Sequence, residues 1–334
     1  MTIYSIAKAL GYSPSTVARA LSSRGYVSAK AKKEILEFAN KHGYQPNISA
    51  KALRDNMSRK ILFCIPDIYN PFYFKMIDGA SNVLEENSYY TILYHTKNQV
   101  KKEISAIDLL NQKYCDGIIL VSFDFSDKNI SSIESSKWPV VLTNLYEKIK
   151  PNSNFDCVYV DHEKAMKLAT EHLILNGLKN ILLLIGSLNL QTSRERLQGY
   201  KIGLKENNIS FKKDLVKNGM YTVEGGYLAI QQAINENIDF DAIITANDLM
   251  GVGVIQYLNE NNIKLGDKYK MVSFDNTDFA RYAVPSITSI DLQQYLIGKF
   301  SAELLLERIL TGRKKSKIIK IEPKLIIRES SVSY

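Results

Sequence analysis

Residues 2–21 read TIYSIAKALGYSPSTVARAL, and this stretch predicts two short helices joined by a tight turn. Thr2 is a favourable N-cap for the first helix, and Gly11 supplies a left-handed residue at its end. Ser13 can cap the second helix, and Pro14 takes its first position, where a missing N–H costs nothing. Two such helices around a glycine turn are typical of a helix-turn-helix.

The second predicted helix has an apolar face and a small polar face. Val17 and Leu21 lie at i and i+4 and are expected to point inward, whereas Ser15, Thr16 and Arg19 lie on the other side. Small side chains let a helix approach base edges, and an arginine can make a bidentate contact with guanine. The helix is therefore predicted to read DNA; the alternative is a solvated helical hairpin with an incidental arginine.

The charge of the chain is concentrated in this region. Residues 1–60 contain eleven Lys/Arg and three acidic side chains, which gives the net charge of +8 that the whole chain carries. The remainder has equal numbers of basic and acidic side chains. A third helix, predicted after Ser28 with Ile35, Leu36 and Ala39 on its apolar side, completes an all-α head. A cationic head on a neutral body favours phosphate binding by the head alone.

The composition excludes several other classes of protein. The 334 residues suffice for two or three domains, and no apolar run approaches the ~20 residues of a membrane span. The first residues lack an apolar signal region, which predicts a cytoplasmic protein without a membrane partner. The cysteines Cys64, Cys115 and Cys157 are predicted to be buried, reduced thiols. No phosphate loop, nucleophile elbow or metal cluster is present, so neither an enzyme nor a cofactor is predicted.

After residue 60, short apolar strands alternate with amphipathic helices. This alternation predicts an α/β body with parallel sheets and crossover helices. Two similar modules are expected, at roughly 60–160 and 162–289. The predicted strands are Ile61–Pro66, Thr91–Tyr94, Gly117–Val121, Val140–Leu142, Ile181–Ile185, Ala242–Thr245 and Met271–Phe274.

Polar and aromatic residues follow several of these strands. Arg196, Asn247 and Asp275 come after three of them, and an aromatic run at 72–74 follows the first. Ligands of open parallel sheets bind where such loops converge, and these side chains suit a polyhydroxylated ligand. The alternatives are a structural ion pair for Arg196 and a simple turn at Asp275. His162 is predicted to be a solvated helix residue.

The residues 2–21, together with Gly43–Asn47 and Ala50–Arg54, resemble the lactose/galactose-repressor (LacI/GalR) family of transcription factors. The resemblance covers essentially the whole chain. It implies a helix-turn-helix domain at 1–46, a hinge helix or linker at 47–59 and an effector-binding and dimerisation domain at 60–334. That body is two-lobed and periplasmic-binding-protein-like. Its N-lobe is expected at about 60–160 and 291–322, and its C-lobe at about 162–289 and 323–334.

The resemblance also implies DNA-contacting residues. Ser15, Thr16 and Arg19 match base-reading positions of the family, and Pro14 stands where a further specificity residue often lies. A hinge helix that folds on the operator would place Leu53 in the minor groove, with Lys51 and Arg54 on the backbone.

Leu53→Ala is accordingly expected to weaken operator affinity without changing effector affinity, because the leucine wedge is needed only to kink DNA. A mobility-shift titration of both proteins measures the difference. Equal operator affinities would contradict this role.

The resemblance implies an effector site as well. Arg196, Asn247 and Asp275 match effector-binding positions of sugar-responsive members. Further expected site residues are the cleft-wall positions Phe72, Tyr73 and Tyr221 and the weaker matches Asp161 and Thr192. Leu190 stands where purine-responsive members carry arginine, which counts against a purine corepressor, and Leu292 replaces a residue that is often polar.

The resulting prediction is a sequence-specific repressor controlled by a small effector. Its expected partners are a pseudo-palindromic double-stranded DNA operator, a carbohydrate and a second copy of the chain. The apolar stripe in 293–309 fits either the core or a subunit interface, and the absence of a leucine-heptad extension favours a dimer over a tetramer. Two alternatives stay open: a carbon-catabolite regulator controlled by a phosphorylated carrier protein, and a sugar-binding protein without a DNA role.

Overall fold

The computed structural model describes residues 1–22, 25–45, 52 and 56–332. The chain divides into two compact units, Met1–Ser58 (the head) and Arg59–Tyr334 (the body).

The head consists of the helices α1 (Ile3–Leu10), α2 (Pro14–Ser22) and α3 (Ala29–Lys41). Their predicted order and starting points are confirmed. Thr2 and Ser5 form a reciprocal capping box on α1, and Gly11 ends that helix with φ of 73°. The three helices share a small core whose fully buried members include Ile6, Val17 and Ile35.

The body contains two sheets, one in each lobe. The N-lobe sheet has the order β11-β5-β4-β3-β1-β2, and the C-lobe sheet has the order β12-β10-β9-β8-β6-β7. The N-lobe strands are β1 (Lys60–Ile65), β2 (Tyr90–His95), β3 (Gly117–Leu120), β4 (Val140–Leu142), β5 (Phe155–Val160) and β11 (Ile318–Ile321). The C-lobe strands are β6 (Ile181–Ile185), β7 (Val216–Asn218), β8 (Ala242–Thr245), β9 (Lys270–Phe274), β10 (Thr288–Asp291) and β12 (Lys324–Ile326).

Neighbouring strands are parallel except where β10 pairs with β12. The predicted two-lobed α/β fold is therefore confirmed, and all seven strands predicted from the sequence are present. Parallel pairing requires crossover helices. In the N-lobe these are α4 (Phe72–Glu86), α5 (Val100–Asn111) and α6 (Asp127–Ser135). In the C-lobe, α7 (His162–Leu175) leads from β5 into the sheet, and the crossover helices are α8 (Gln191–Glu206), α9 (Val223–Asn235), α10 (Asp248–Glu260) and α11 (Asp278–Tyr282).

The chain passes between the two sheets three times: between β5 and α7, after β10, and between β11 and β12. After the second passage, α12 (Gln294–Thr311) returns to the N-lobe and packs along α4. The two helices approach so closely that a Cβ on Gly298 would lie 1.8 Å from the carbonyl oxygen of Met76. Ile297, Leu304 and Leu305 of the predicted apolar stripe are buried, so this part of the stripe belongs to the core.

A buried ionic network fixes the end of α12 to the N-lobe sheet. Asp156 on β5 accepts hydrogen bonds from Arg308 Nε at 2.7 Å and from Arg313 Nη2 at 2.8 Å, and from the backbone N–H of Lys317 before β11. Burial alone would raise the pKa of Asp156, but these donors outweigh it and lower the pKa. The network thus anchors the segment that leads into the third passage.

Cys64, Cys115 and Cys157 are buried, as predicted, and none of them is paired with another described cysteine. Among the described residues, no helix has the length and apolar character that crossing a membrane requires.

Candidate functional site

A cavity of about 230 Å³ lies between the two lobes, where the parallel strands β1 to β10 end. This volume lies below the ~300–1,000 Å³ range of drug-sized ligand pockets, which suits a small ligand. The N-lobe wall includes Asp67, Asn70, Phe72, Tyr73, Phe123, Thr143 and Asn144. The C-lobe wall includes Leu190, Thr192, Arg196, Tyr221, Asn247 and Asp275.

Arg196 projects from the second turn of α8 into this cavity. Only 6% of its surface is exposed, and its Nη1 donates to the carbonyl oxygen of Ala246 at 2.8 Å. The guanidinium carbon lies 5.1 Å from the ring centroid of Phe274. The Nε atom is buried without a hydrogen-bond partner, and no carboxylate of the described residues lies within salt-bridge distance. The interpretation of Arg196 as a structural ion pair is therefore wrong within the described part of the chain.

Asp275 follows β9 with a left-handed backbone, φ 98°, which its N–H stabilises by donating to the carbonyl oxygen of Ile290 at 2.9 Å. Only 5% of the residue is exposed. Its carboxylate accepts no hydrogen bond from the described residues. Burial raises the pKa of Asp275, the negative charge of Asp248 raises it further, and Arg196 opposes both effects. Asp275 is thus a buried acid without a hydrogen-bond donor in the described part of the chain.

Asp248 lies behind the cavity wall and holds the loop that follows Asp275. Its carboxylate accepts hydrogen bonds from the backbone N–H of Thr277 at 2.7 Å, from the Thr277 hydroxyl at 2.9 Å and from Ser289 Oγ at 2.9 Å. Burial raises the pKa of Asp248, although these donors counteract it. Because Asp248 is satisfied within the protein and Asp275 has no donor among the described residues, Asp275 rather than Asp248 is available to a ligand.

Three neighbouring residues fix the position of Tyr221. Its hydroxyl lies 2.7 Å from Ser193 Oγ, and its carbonyl oxygen accepts a hydrogen bond from Asn247 Nδ2 at 3.0 Å. A Cβ on Gly186 would clash with the ring, so glycine at this position lets Tyr221 take its place. Asn247 Oδ1 also caps α10 by accepting from the backbone N–H of Met250. Since both ends of the Asn247 amide have partners, one amide proton and one lone pair remain for a ligand.

The predicted aromatic residues of the N-lobe meet at the start of α4. The rings of Phe72 and Tyr73 make an edge contact with centroids 5.2 Å apart. Burial raises the pKa of the Tyr73 hydroxyl, which makes no hydrogen bond to a described residue. Thr192 is buried in the opposite wall at the start of α8. The structure therefore brings these three residues to the cavity, together with Leu190 and Leu292.

Two expectations about residues at the first passage between the lobes require correction. Asp161 does not line the cavity: it caps α7 by accepting from the backbone N–H of Lys164 at 2.8 Å, and it pairs with Lys320 at 2.7 Å. His162 is not a solvated residue, because it lines the cavity with Nδ1 3.4 Å from Arg196 Nη2. Burial lowers the pKa of His162, and the positive charge of Arg196 lowers it further.

Several cavity residues were not singled out from the sequence as site residues. Phe123 follows β3, and Thr143 and Asn144 follow β4. Asp67 and Asn70 follow β1 in the same way. The rule that ligands bind beyond the carboxyl ends of parallel strands indicates all of them once it is applied to every strand.

The predicted DNA-reading residues lie on the outer face of α2. Pro14, Ser15 and Arg19 are exposed, and Thr16 is half-buried. Ser13 Oγ accepts a hydrogen bond from the backbone N–H of Thr16 at 3.1 Å, which caps the helix. The polar face is thus solvent-accessible in the head. The expected hinge residues Lys51, Leu53 and Arg54 lie outside the described residues.

Two family models match the chain. The model described as periplasmic binding proteins and sugar binding domain of LacI family matches residues 58–329, and the model described as bacterial regulatory proteins, lacI family, matches residues 2–47. The chain is 29% identical to the HTH-type transcriptional regulator MalR of Clostridium butyricum over 99% of both chains.

Solved structures share the fold. The lac repressor dimer bound to operator and the anti-inducer ONPF has a TM-score of 0.88 at 22% identity, covering 100% of this chain and 99% of that one. A complex of the transcriptional regulator CelR with cellobiose has a TM-score of 0.75 at 23% identity, covering 99% of both chains.

Proposed function

This chain belongs to the LacI family of DNA-binding transcriptional regulators, and from that premise we propose that it is a repressor whose operator affinity is controlled by a carbohydrate bound between its two lobes. It acts in the bacterial cytoplasm, where it binds DNA as a homodimer and performs no catalysis.

The observation that carries the effector assignment is a pair of polar groups in the cavity, the Arg196 guanidinium and the Asp275 carboxyl group, that are not fully hydrogen-bonded by the described residues. Among the described residues, Arg196 Nε is buried without a hydrogen-bond partner, and no group donates to the Asp275 carboxyl group. Buried polar groups are costly unless they are paired, so these positions favour a ligand that supplies both acceptors and donors. Sugar hydroxyls do both, and the aromatic walls at Phe72 and Tyr221 suit the apolar faces of sugar rings.

The control mechanism follows from the placement of the cavity. A ligand that contacts both walls favours one relative angle of the lobes. Two direct contacts across the cleft depend on that angle. Lys75 Nζ donates to the Asn276 carbonyl oxygen at 3.1 Å, and Gln191 Nε2 lies 3.5 Å from the Leu145 carbonyl oxygen. By thermodynamic linkage, effector and operator change each other's affinity by the same factor, for which a coupling of ~1–3 kcal/mol is typical.

On the DNA side, α2 is proposed to lie in the major groove of a half-site. Ser15, Thr16 and Arg19 read base edges, with Pro14 at the start of the same helix. The remaining Lys and Arg of the head bind phosphates, and the hinge residues Lys51, Leu53 and Arg54 are proposed to bind the minor groove and kink it.

A second copy of the body is proposed to cover an exposed apolar surface of the C-lobe. Tyr282 is 70% exposed and Val284 82% exposed, and with Phe279 and Ile255 they line a shallow groove beside α10 and α11. One head contacts few base pairs, whereas a two-fold dimer contacts two half-sites. Apolar surface of this kind is typical of interaction sites.

Selection of binding sequences from random duplex DNA tests the proposal. We expect a pseudo-palindromic consensus and, by sedimentation, two protein chains per duplex. Addition of the cognate sugar should change the affinity for that consensus. Recovery of a single asymmetric half-site by a monomer would contradict the dimer, and recovery of no consensus would contradict the regulator.

A further inference from the structure

The three side chains of α2 that are proposed to read bases are oriented in different ways. The hydroxyl groups of Ser15 and Thr16 each lie 2.8 Å from Ser13 Oγ, so short-range hydrogen bonds orient both of them. Arg19 is exposed, and within the described part of the chain its guanidinium group has neither a hydrogen bond nor an ion pair. A long side chain without such a partner loses conformational entropy when it binds, unless packing restricts it beforehand.

The aliphatic part of Arg19 packs against Gly25, which lies between α2 and α3. A Cβ on this glycine would lie 3.3 Å from Arg19 Cδ and 3.6 Å from Arg19 Cγ. The shorter distance is below the roughly 3.5–4.0 Å at which carbon atoms pack. The absence of a side chain at Gly25 therefore gives the arginine room to lie in this position.

The head fixes the position of Gly25. The glycine has a left-handed backbone, with φ of 82°. Two residues later, Val27 packs against the hydrophobic core of the head, and Ser28 Oγ caps α3 by accepting from the backbone N–H of Ala31 at 3.3 Å. The segment that borders Arg19 is thus anchored to the core and to α3, so it restricts the arginine from a fixed position.

The left-handed backbone alone does not account for this contact. Gly11 and Gly43 also have positive φ, 73° and 61°, yet a Cβ on either of them would meet no atom within 4 Å. These two glycines follow α1 and α3, where a left-handed residue ends a helix. At Gly25 the missing side chain has an additional consequence, because it leaves space for Arg19.

From these contacts we propose that Gly25 is a positioning residue for DNA recognition: it restricts the side chain of Arg19 so that the guanidinium group is directed at one base pair of the operator. A larger side chain at position 25 displaces the arginine and relaxes the preference for that base pair. This inference rests on the proposed function, in which Arg19 contacts a base edge, and it adds a residue outside α2 that sets sequence specificity.

Selection of binding sequences by the full chain and by its Gly25→Asn variant tests this role. Asparagine tolerates a left-handed backbone, so the substitution adds a side chain while it keeps the turn. The base pair that Arg19 reads is identified as the one whose preference Arg19→Met removes. At that base pair, we expect Gly25→Asn to lower the affinity ratio between the preferred and the next base by at least about fivefold, since a bidentate contact provides such discrimination. Affinity for unrelated duplex DNA should change less than about twofold, because the phosphate contacts are retained.

Gly43→Asn is the matched control. It adds the same side chain at an exposed, left-handed position of the head, where a Cβ would contact nothing. It should leave the affinity ratio within about twofold of that of the unaltered protein. The double variant Gly25→Asn/Arg19→Met should have the same base preferences as Arg19→Met, as expected for a residue that acts only through Arg19.

The outcomes separate the positioning role from the proposed function. An unchanged ratio in Gly25→Asn, an equal loss in Gly43→Asn, or a loss of affinity for all duplexes alike overturns the positioning role and leaves the proposed regulator standing. The same holds if the double variant loses base preferences that Arg19→Met keeps. If Arg19→Met retains every base preference of the unaltered protein, base reading by Arg19 fails as part of the proposed function, and the positioning role fails with it.

Discussion

Arg196→Met is expected to weaken effector binding by at least about 100-fold and to make operator affinity insensitive to the effector. Hydrogen bonds to a charged group contribute roughly 1.5–3 kcal/mol each, and a bound sugar can accept from both Nε and the remaining Nη protons. Two such bonds correspond to roughly 10² to 10⁴ in affinity at about 1.4 kcal/mol per factor of ten. Titration calorimetry measures the affinity, and mobility shifts with and without effector measure the coupling.

Arg194→Met is the matched control for this substitution. Arg194 is an exposed residue on the same helix, and its Nη1 donates to the carbonyl oxygens of Leu188 and Asn189 outside the cavity. It should change effector affinity less than threefold. Since Arg196 also donates to Ala246, the thermal unfolding midpoint of each variant must be compared with that of the unaltered protein. A further variant, Arg196→Lys, keeps the positive charge but removes the planar guanidinium group. If Arg196→Met binds the effector with an affinity within threefold of that of the unaltered protein, Arg196 is not part of the effector site.

The strands that the sequence predicts are those whose apolar runs are uninterrupted. β6 and β8 are buried throughout and contain no charge, so their pattern alone identifies them. β5 was not predicted because Asp156 interrupts its apolar run; that carboxylate is tolerated only because Arg308 and Arg313 reach it from more than 150 residues away. β11 and β12 are short segments with half-exposed lysine-containing sequences, so they carry little pattern of their own.

In the candidate site, as in the strands, some features depend on the local sequence and others on residues far away in the chain. Arg196 and Asp275 were predicted because strand ends converge, which is a property of the sheet. The position of His162 in the cavity wall was missed because its contact there is with Arg196, 34 residues along the chain. Asn247 was predicted as a ligand-binding residue, but sequence could not show that the Tyr221 carbonyl oxygen already takes part of its amide. The capping role of Asp161 could be predicted from the neighbouring sequence, since an aspartate directly before a helix is a common N-cap.

A chain that begins at Arg59 is expected to lose operator binding by more than about 1,000-fold while it retains effector affinity within about twofold. The body is a compact unit with its own core, and the described cavity wall begins at Pro66, so the effector site does not need the head. The head carries nine Lys/Arg and three acidic side chains, a net charge of +6 out of the +8 of the whole chain. Its removal therefore eliminates the phosphate contacts that supply most non-specific and much specific affinity.

The salt dependence of operator affinity is a second measurement that tests the truncated chain. Damage to the fold would not produce the same change in this dependence. Each phosphate contact contributes about −0.9 to the slope of log affinity against log salt concentration. With some six to ten phosphate contacts per dimer, the full chain should give a slope of roughly −5 to −9. The truncated chain should show no salt-dependent retention on the selected operator, at equal concentration and with its calorimetric effector affinity verified. Retention of the full slope after removal of residues 1–58 would mean that the body itself binds DNA, which its net charge of only +2 gives little physical reason to expect.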